Sequence, residues 1–283
     1  MTRLDRLVCG ISYGSAILSA SIVVLVLGFL IQESYPALAG VPAHRFVTDP
    51  GWYPKSDQYS MLPMIVATLV TSLGALVVAT PLGLATAVYL RFYARGKLAR
   101  FFQAMVELLG GVPSVVFGLW GMATLTPLIA RLGGSGQNLL TATLILALMI
   151  LPTIALTSFA AIVAVPHSQL QAAAALGLRR PAIIWRIVLP WASPGILTGM
   201  VLGLCRALGE TMAVVMLAGN VVKIPDSLLS PGRTLTANIA LELGYTSRDH
   251  RSLLFVSGLL VLVVVTILVL LPNLWQRVRY AES

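Results

Sequence analysis

The chain has 283 residues, of which 58% are hydrophobic and only 10% are charged. Because soluble domains carry about 25% charged residues, this composition excludes an ordinary water-soluble globular protein and indicates a membrane domain. The formal net charge of +9 does not indicate nucleic-acid binding, since the basic residues cluster between apolar stretches, as topology signals do. No change in composition marks a second domain, so residues 1–283 are predicted to form a single membrane domain.

Six apolar segments are long enough to cross a bilayer, because a membrane-spanning helix needs about 20 residues. They are residues 11–31, 61–90, 108–130, 139–165, 191–219 and 253–271. Pro81 and Pro152 predict kinks or breaks in the second and fourth segments. Pro113, which follows two glycines closely, predicts an interruption near the start of the third. The segments therefore predict an all-α integral membrane protein with six transmembrane helices.

The first segment and the connections determine the expected topology. Residues 37–39 read Ala-Leu-Ala, which resembles a signal-peptidase site, but the apolar run before them is longer than a cleaved signal requires. We expect a retained helix, with cleavage as the alternative.

The orientation in the membrane follows from the basic residues of the connections. With six spans, eleven Lys and Arg residues lie in connections on the side of the N-terminus, and seven lie on the other side. Since cytoplasmic connections carry the excess of positive charge, both termini are predicted to be cytoplasmic.

Two charged residues, Arg206 and Glu210, lie inside the fifth apolar segment. A charge at the bilayer centre costs roughly 2.5–3.5 kcal/mol on insertion scales, so such residues usually face a polar interior or a partner. Because the two are four positions apart, we expect them to lie on one helix face and to pair. One hypothesis is that the pair only ties this helix to its neighbours. The other is that the pair has a functional role, as ionisable residues inside membrane segments usually do.

A third charged residue near the apolar segments, Glu107, allows more than one role. Glu107 precedes the glycines and the proline of the third segment. It is either a charge at a helix start, which the helix dipole favours, or a gating residue beside a cavity.

The connection at residues 166–190 has a distinct pattern of helix, break and helix. Four consecutive alanines, residues 172–175, are strong helix formers. Gly177 suits a helix C-cap, and Pro181 suits the first turn of the next helix. Small side chains on the first helix would let the backbone of another protein approach closely. The alternative is an amphipathic helix at the membrane surface.

The same connection resembles the EAA loop of permease subunits in bacterial binding-protein-dependent ABC importers. The resemblance is carried by Ala172, Ala173, Gly177, Ile187, Leu189 and Pro190. Three further stretches resemble the PstC-type permeases of phosphate-specific importers: residues 113–121, 206–214 and 233–240. The resemblance implies a type I ABC importer permease bundle, also called MetI-like, inserted as a multi-pass protein in the bacterial cytoplasmic (inner) membrane.

The resemblance also implies roles and partners for this chain. The helix that docks on a cytoplasmic ATPase would include Gln171, Ala172, Ala173 and Gly177, with Gln171 where the family usually has glutamate. The substrate pathway would include Arg206, Glu210 and Thr211. Because phosphate is an anion, the Arg206 guanidinium would match its oxygens. Glu210 would hold Arg206 in place, accept a proton or hydrogen bond from the cargo, or keep binding weak enough for release. The expected partners are a sister permease of the PstA type, two ATPase subunits, an external phosphate-binding protein, phosphate and the lipid bilayer.

The sequence lacks the nucleotide-binding motif of an ATPase. A Walker A loop needs Gly-Lys followed by Ser or Thr, and the only lysine that follows a glycine, Lys97, is followed by Leu98. ATP hydrolysis is therefore expected on a separate chain. The two cysteines and three histidines are too dispersed to indicate a metal site, and no cofactor is expected. Two alternatives stay open: a permease for another oxyanion such as molybdate, and a secondary anion transporter, which needs no ATPase-docking helix.

Overall fold

The structure, a computed structural model, describes residues 3–246 and 248–281. In chain order the longer helices are α1 (Arg3–Gly40), α3 (Leu62–Phe92), α4 (Gly96–Gly111), α7 (Leu139–Val163), α10 (Leu189–Gly209) and α13 (Arg248–Ala281). The shorter ones are α2 (Arg45–Thr48), α5 (Ser114–Trp120), α6 (Thr126–Ala130), α8 (His167–Ala175), α9 (Arg180–Ile183), α11 (Met212–Leu217) and α12 (Leu235–Glu242). Strands β1 (Trp52–Tyr53) and β2 (Gln58–Tyr59) form an antiparallel hairpin.

The core of the bundle forms around α7, which packs against both α3 and α10. This helix is apolar on all sides, which is typical of a helix buried within a protein. Ile145, Ile150 and Ile154 are buried in the main apolar cluster. Glycines allow the neighbouring helices to approach closely. A Cβ added at Gly83 would lie 3.0 Å from Ile154 Cγ2, and one added at Gly203 would lie 3.1 Å from Ile154 Cγ1.

The N-terminal helix α1 lies at the edge of the bundle, where it packs mainly against α13. The contact includes an edge-to-face pair of Phe29 and Phe255, whose ring centroids are 5.6 Å apart. Nearby, Arg251 Nε lies 3.6 Å from Glu33 Oε2. Within the described chain, the most apolar stretch of α1 has no buried residue. Most of its surface is therefore free to contact lipid or another subunit.

The third predicted segment, residues 108–130, differs from the structure. Its helix, α4, begins earlier and ends at Gly111, α5 starts at Ser114, and the two parts meet at 95°. Val112 is extended, with φ −66° and ψ 130°, because the following proline disfavours the helical conformation. A π-helical turn, Gly121–Leu125, then joins α5 to α6. In the described part of the chain, five helices are long and apolar enough to cross a membrane, or six if this bent pair is one span.

The prolines in the second and fourth segments do not interrupt the helices. α3 and α7 continue through Pro81 and Pro152, since proline is tolerated in membrane helices when neighbouring groups satisfy the backbone. The fifth segment, residues 191–219, also differs, because its helix starts in the preceding connection and ends at Gly209. A π-helical turn, Ile184–Val188, joins α9 to α10, so that the two form one helical run.

The last predicted segment, residues 253–271, falls within α13. Some basic residues that enter the topology prediction have side chains outside the described residues: Arg3, Arg6, Arg248, Arg277 and Arg279. The cytoplasmic location of both termini therefore stays a prediction from the sequence.

Candidate functional site

The fifth apolar segment is interrupted where its charged residues lie. α10 ends at Gly209, Glu210 is extended with φ −70° and ψ 132°, and α11 begins at Met212. Glycine has a low helix propensity, which favours an end at this point. The Glu210 carboxylate then accepts a hydrogen bond from the N–H of Ala213, with 3.2 Å between Oε1 and N, and so caps the next helix. We refer to Gly209, Glu210 and Thr211 as the helix break.

The predicted ion pair between Arg206 and Glu210 is wrong. Pairing at a spacing of four residues needs a continuous helix, and the helix ends between the two residues. Arg206 lies in the last turn of α10 with an exposed side chain, and it forms no hydrogen bond or ion pair with any described residue. The Thr211 hydroxyl donates to the Gly209 carbonyl at 3.3 Å. The segment thus carries a guanidinium, a carboxylate and a hydroxyl close together in the chain.

Two of the stretches that carry the family resemblance meet beside the break. α5, from the stretch at residues 113–121, packs against α11, from the stretch at residues 206–214. Gly118 permits the contact, since a Cβ at that position would lie 2.7 Å from Met216 Sδ. Because α5 follows the 95° bend and α11 follows the helix break, this contact joins two interrupted membrane-length segments.

The short helix α12 contacts both the break and the core. The Thr236 hydroxyl donates to the Glu210 carbonyl at 2.8 Å. The N–H of Leu235 donates to Thr68 Oγ1 on α3 at 3.1 Å. α12 therefore connects the helix break to a core helix.

Glu107 lies beside the bend between α4 and α5. Its interpretation as a charge at a helix start is wrong, because α4 begins at Gly96 and Glu107 lies near its other end. Glu107 Oε1 accepts a hydrogen bond from Gln103 Nε2 at 2.9 Å. A cavity of about 640 Å³ opens at the bend and is lined by Ala104, Glu107, Leu108, Gly111, Val112 and Pro113. No described hydrogen bond joins Glu107 to the helix break.

The connection between α7 and α10 has the local structure that its sequence predicts. α8 ends in a Schellman motif, in which the N–H of Leu178 donates to the Ala173 carbonyl at 3.2 Å and that of Gly177 to the Ala174 carbonyl at 2.9 Å. Gly177 has a φ of +74°, which glycine adopts without the steric cost of a Cβ. Pro181 lies in the first turn of α9.

The predicted docking residues on α8 differ in exposure. Gln171, Ala172 and Gly177 are exposed, whereas Ala173 is only 2% exposed. Leu170, one turn earlier, packs against an apolar cluster formed by α3, α7 and α10. Ala173 therefore faces the interior of this chain, and its side chain is not available to a partner. The free surface of α8 is formed by the neighbouring residues.

The amino-acid sequence matches a known family of membrane proteins. Residues 79–279 match the family model described as binding-protein-dependent transport system inner membrane component. The chain belongs to this family. The permease is 36% identical over 240 residues to the phosphate transport system permease protein PstC of Xylella fastidiosa (strain Temecula1), covering 77% of this chain and 74% of that protein. It is 34% identical over 278 residues to PstC of Mesorhizobium japonicum, covering 89% and 85%.

Solved structures share the fold of this permease. A chain of a bacterial ABC transporter involved in the import of the acidic polysaccharide alginate has a TM-score of 0.65 at 17% identity, covering 98% of this chain and 99% of that one. A chain of the MetNI methionine ABC transporter has a TM-score of 0.58 at 20% identity, covering 77% and 93%. At these identities the likeness concerns the fold alone. Together with the family match, it confirms the predicted fold class, an all-α bundle of the MetI-like type.

A polar cluster around Glu242 is not predicted by the sequence. Glu242 Oε1 lies 2.6 Å from Arg233 Nη1, and Oε2 lies 2.8 Å from His250 Nε2. Trp52 Nε1 donates to Oε2 at 3.0 Å. We call these four residues the Glu242 cluster, which joins the hairpin of the permease to α12 and α13. The sequence contains only ten acidic residues, so each of them is a candidate for a specific contact. No pattern in the sequence, however, predicts that Glu242 contacts a tryptophan 190 residues away.

The hairpin has further hydrogen bonds of its own. The N–H of Tyr59 donates to Asp49 Oδ2 at 2.9 Å, and the Tyr59 hydroxyl donates to Asp57 Oδ1 at 2.7 Å. The hydrogen bond to the Asp57 carboxylate, together with slight burial, raises the pKa of the Tyr59 phenol. The hairpin is therefore an ordered unit, which the Glu242 cluster attaches to α12.

Glu242→Gln should loosen the attachment of the hairpin. The side chains of Arg233 and Glu242 are 19% and 23% exposed, so the variant leaves a largely buried guanidinium without its anion, at a cost of about 1–3 kcal/mol. Hydrogen exchange of residues 52–59 in the purified permease should become faster. Asp226→Asn is the control, because the side chains of its ion pair with Lys223 are 69% and 74% exposed and such pairs contribute little. Equal exchange in both variants would contradict this role of the cluster.

Proposed function

We propose that this permease is the transmembrane subunit of an ATP-driven phosphate importer. The class of cargo is supported by the relatives named phosphate transport system permease proteins, which are 36% and 34% identical to it. The chemistry is supported by Arg206, an exposed guanidinium without a described partner next to the helix break. This residue is the single observation that carries the proposal.

Arg206 suits an oxyanion because its planar fork of N–H donors matches two oxygens at once. A charge in a membrane-length segment is stable only where it faces water, a polar path or a partner rather than lipid. Since Arg206 has no partner in the described chain, we place it on the translocation path.

Glu210 would limit how tightly the path holds an anion. Its carboxylate caps α11, and its negative charge repels phosphate while Arg206 attracts it. A transport path needs such a balance, since the cargo must enter and also leave. Thr211 adds a hydroxyl that can donate to a phosphate oxygen. We assign a gating role to Glu107, because it lines the cavity at the bend and because α5, beyond the bend, packs against α11.

The proposed assembly contains a sister permease of the PstA type, two cytoplasmic ATPase subunits and an external phosphate-binding protein, in the bacterial cytoplasmic membrane. The exposed surface of α1 supports contact with a second permease, since little of that helix is covered within the described chain. The exposed residues of α8, among them Gln171 and Ala172, support contact with an ATPase.

Arg206→Gln should insert and assemble but transport phosphate roughly ten- to a hundredfold more slowly, because glutamine keeps hydrogen-bonding groups and loses the charge that attracts an anion. Arg131→Gln changes an exposed arginine that follows α6, and this control should transport normally. Uptake of labelled phosphate and recovery of the assembled complex are the measurements. Uptake of molybdate in the same cells tests the alternative oxyanion.

Glu210→Gln extends the same experiment. A glutamine carbonyl can still accept the hydrogen bond from Ala213, so α11 stays capped while the charge is lost. We expect intact assembly and slower release of phosphate. Full uptake by the double variant Arg206→Gln/Glu210→Gln would mean that the two residues only balance each other's charge, and it would overturn their assignment to the path.

Ala172→Arg should prevent recruitment of the ATPase and abolish uptake while the permease stays in the membrane, because a long side chain on the exposed face of α8 blocks close approach. Ala173 is unsuitable for this test, since a large residue at that buried position would disturb the permease itself. Ala43→Arg, on an exposed turn before α2, is the control. Co-purification of the ATPase with Ala172→Arg at the level of the control would contradict the docking role.

A cysteine at Ser56 should react with an impermeant thiol reagent added outside intact cells, and a cysteine at Ser168 should not. Both positions are exposed, the first between the two strands and the second in the first turn of α8. The expectation follows from the eleven-to-seven distribution of Lys and Arg. Both variants also carry Cys9→Ser and Cys205→Ser, so that neither natural cysteine reacts. Labelling of the Ser168→Cys variant but not of the Ser56→Cys variant would show that the topology is the reverse of the predicted one.

A further inference from the structure

Among the described residues, the helix break receives one hydrogen bond from outside the two helices that flank it, α10 and α11. The Glu210 carbonyl, which has left the helical pattern, accepts it from the Thr236 hydroxyl at 2.8 Å. The other hydrogen bonds of the break are local, such as that from the N–H of Glu210 to the Ala207 carbonyl at 3.3 Å. A backbone carbonyl in a membrane domain needs a partner within the protein. Thr236 supplies the one that the interrupted helix cannot.

Thr236 is itself held in place, because α12 is attached at both ends. At its start, Thr234 caps the helix by accepting from the N–H of Ala237 at 3.3 Å, and the N–H of Leu235 donates to the buried Thr68 on α3. At its other end lies the Glu242 cluster. The position of the Thr236 hydroxyl is therefore set by the core on one side and by the cluster on the other.

We propose that Thr236 is a positioning residue for transport. Its hydroxyl fixes the Glu210 carbonyl, and thereby fixes how the end of α10 presents Arg206 and how Glu210 is directed. Through the same hydrogen bond, α12 transmits displacement of the Glu242 cluster to the helix break. The inference rests on the proposed function only in taking Arg206 and Glu210 as residues of the path.

The test compares three variants in the assembled importer. Thr236→Val removes the hydroxyl and keeps the shape of the side chain, whereas Thr236→Ser keeps the hydroxyl. Thr198→Val is the matched control, because the Thr198 hydroxyl donates at 2.9 Å to the Pro194 carbonyl within its own helix.

Each variant also carries Met212→Cys, at the first residue of α11, in a background with serine at Cys9 and Cys205. Met212 is 47% exposed in this chain. The rate at which N-ethylmaleimide labels the new cysteine in membranes reports on the conformation of the break and does not depend on the identity of the cargo.

Thr236→Val should raise the labelling rate about fivefold and lower the maximum rate of phosphate uptake by a similar factor, because it removes the hydrogen bond to the Glu210 carbonyl together with the 3.3 Å contact to the Thr234 hydroxyl. The KM for phosphate presented by the external binding protein should not change, since the variant alters the path within the permease and not the docking of the binding protein on the permease. Thr236→Ser and Thr198→Val should behave like the parent. Equal labelling and uptake in Thr236→Val and Thr198→Val would overturn the positioning role.

Transmission from the Glu242 cluster is tested by a double-mutant cycle with the same labelling rate. Glu242→Gln should raise the rate in the parent and add nothing in the Thr236→Val background. Additive effects would overturn the transmission. The parent here is the protein with Met212→Cys and without a change at Thr236. If it takes up no phosphate while the labelling rates of the variants differ as expected, the proposed cargo is contradicted and the positioning role stands.

Discussion

Backbone hydrogen bonding is the constraint on which this structure depends. In the bilayer core an unpaired N–H or C=O group costs several kcal/mol. A membrane-length segment can therefore leave the helical pattern only where another group completes the pairing. At the helix break, Glu210 meets this requirement on both sides. Its carboxylate accepts the N–H of Ala213 in the next helix, and its carbonyl is satisfied by Thr236.

The interrupted segments lie against a core that is not interrupted. α3, α7 and α10 pack closely through glycine contacts such as that of Gly83 with Ile154, and close-packed interiors of this kind deform little. The helices that follow the two interruptions, α5 after the bend and α11 after the break, are in contact where Gly118 meets Met216. Movement is therefore easier at these two interruptions than within the core, and the residues assigned to the path lie at the interruptions.

Hydropathy predicts most of the fold, because a run of about 20 apolar residues has few alternatives to a membrane helix. The end of α8 is predictable too, since the Schellman motif depends on the local choice of Gly177. The orientation of Ala173 is not, because four consecutive alanines carry no amphipathic signal that distinguishes one face from another. The helix break is also missed. A glycine in an apolar run lowers helix stability only slightly, and the partner that satisfies Glu210, Thr236, lies 26 residues away.

One helical run connects the two regions to which function is assigned. It extends from Arg180 to Gly209, 30 residues, or about 45 Å at the rise of an α-helix. It begins just after α8, the helix proposed to contact the ATPase, and it ends at the break beside Arg206. A π-helical turn, Ile184–Val188, lies near the N-terminal end of the run. Such turns depart from the regular hydrogen-bond pattern of an α-helix. Because the rest of the run packs against α7, displacement of α8 by a partner is either absorbed at this turn or passed along the helix to the break. Under the proposed function, displacement passed along the helix would let ATP hydrolysis on a separate subunit change how Arg206 is presented, without direct contact between nucleotide and cargo.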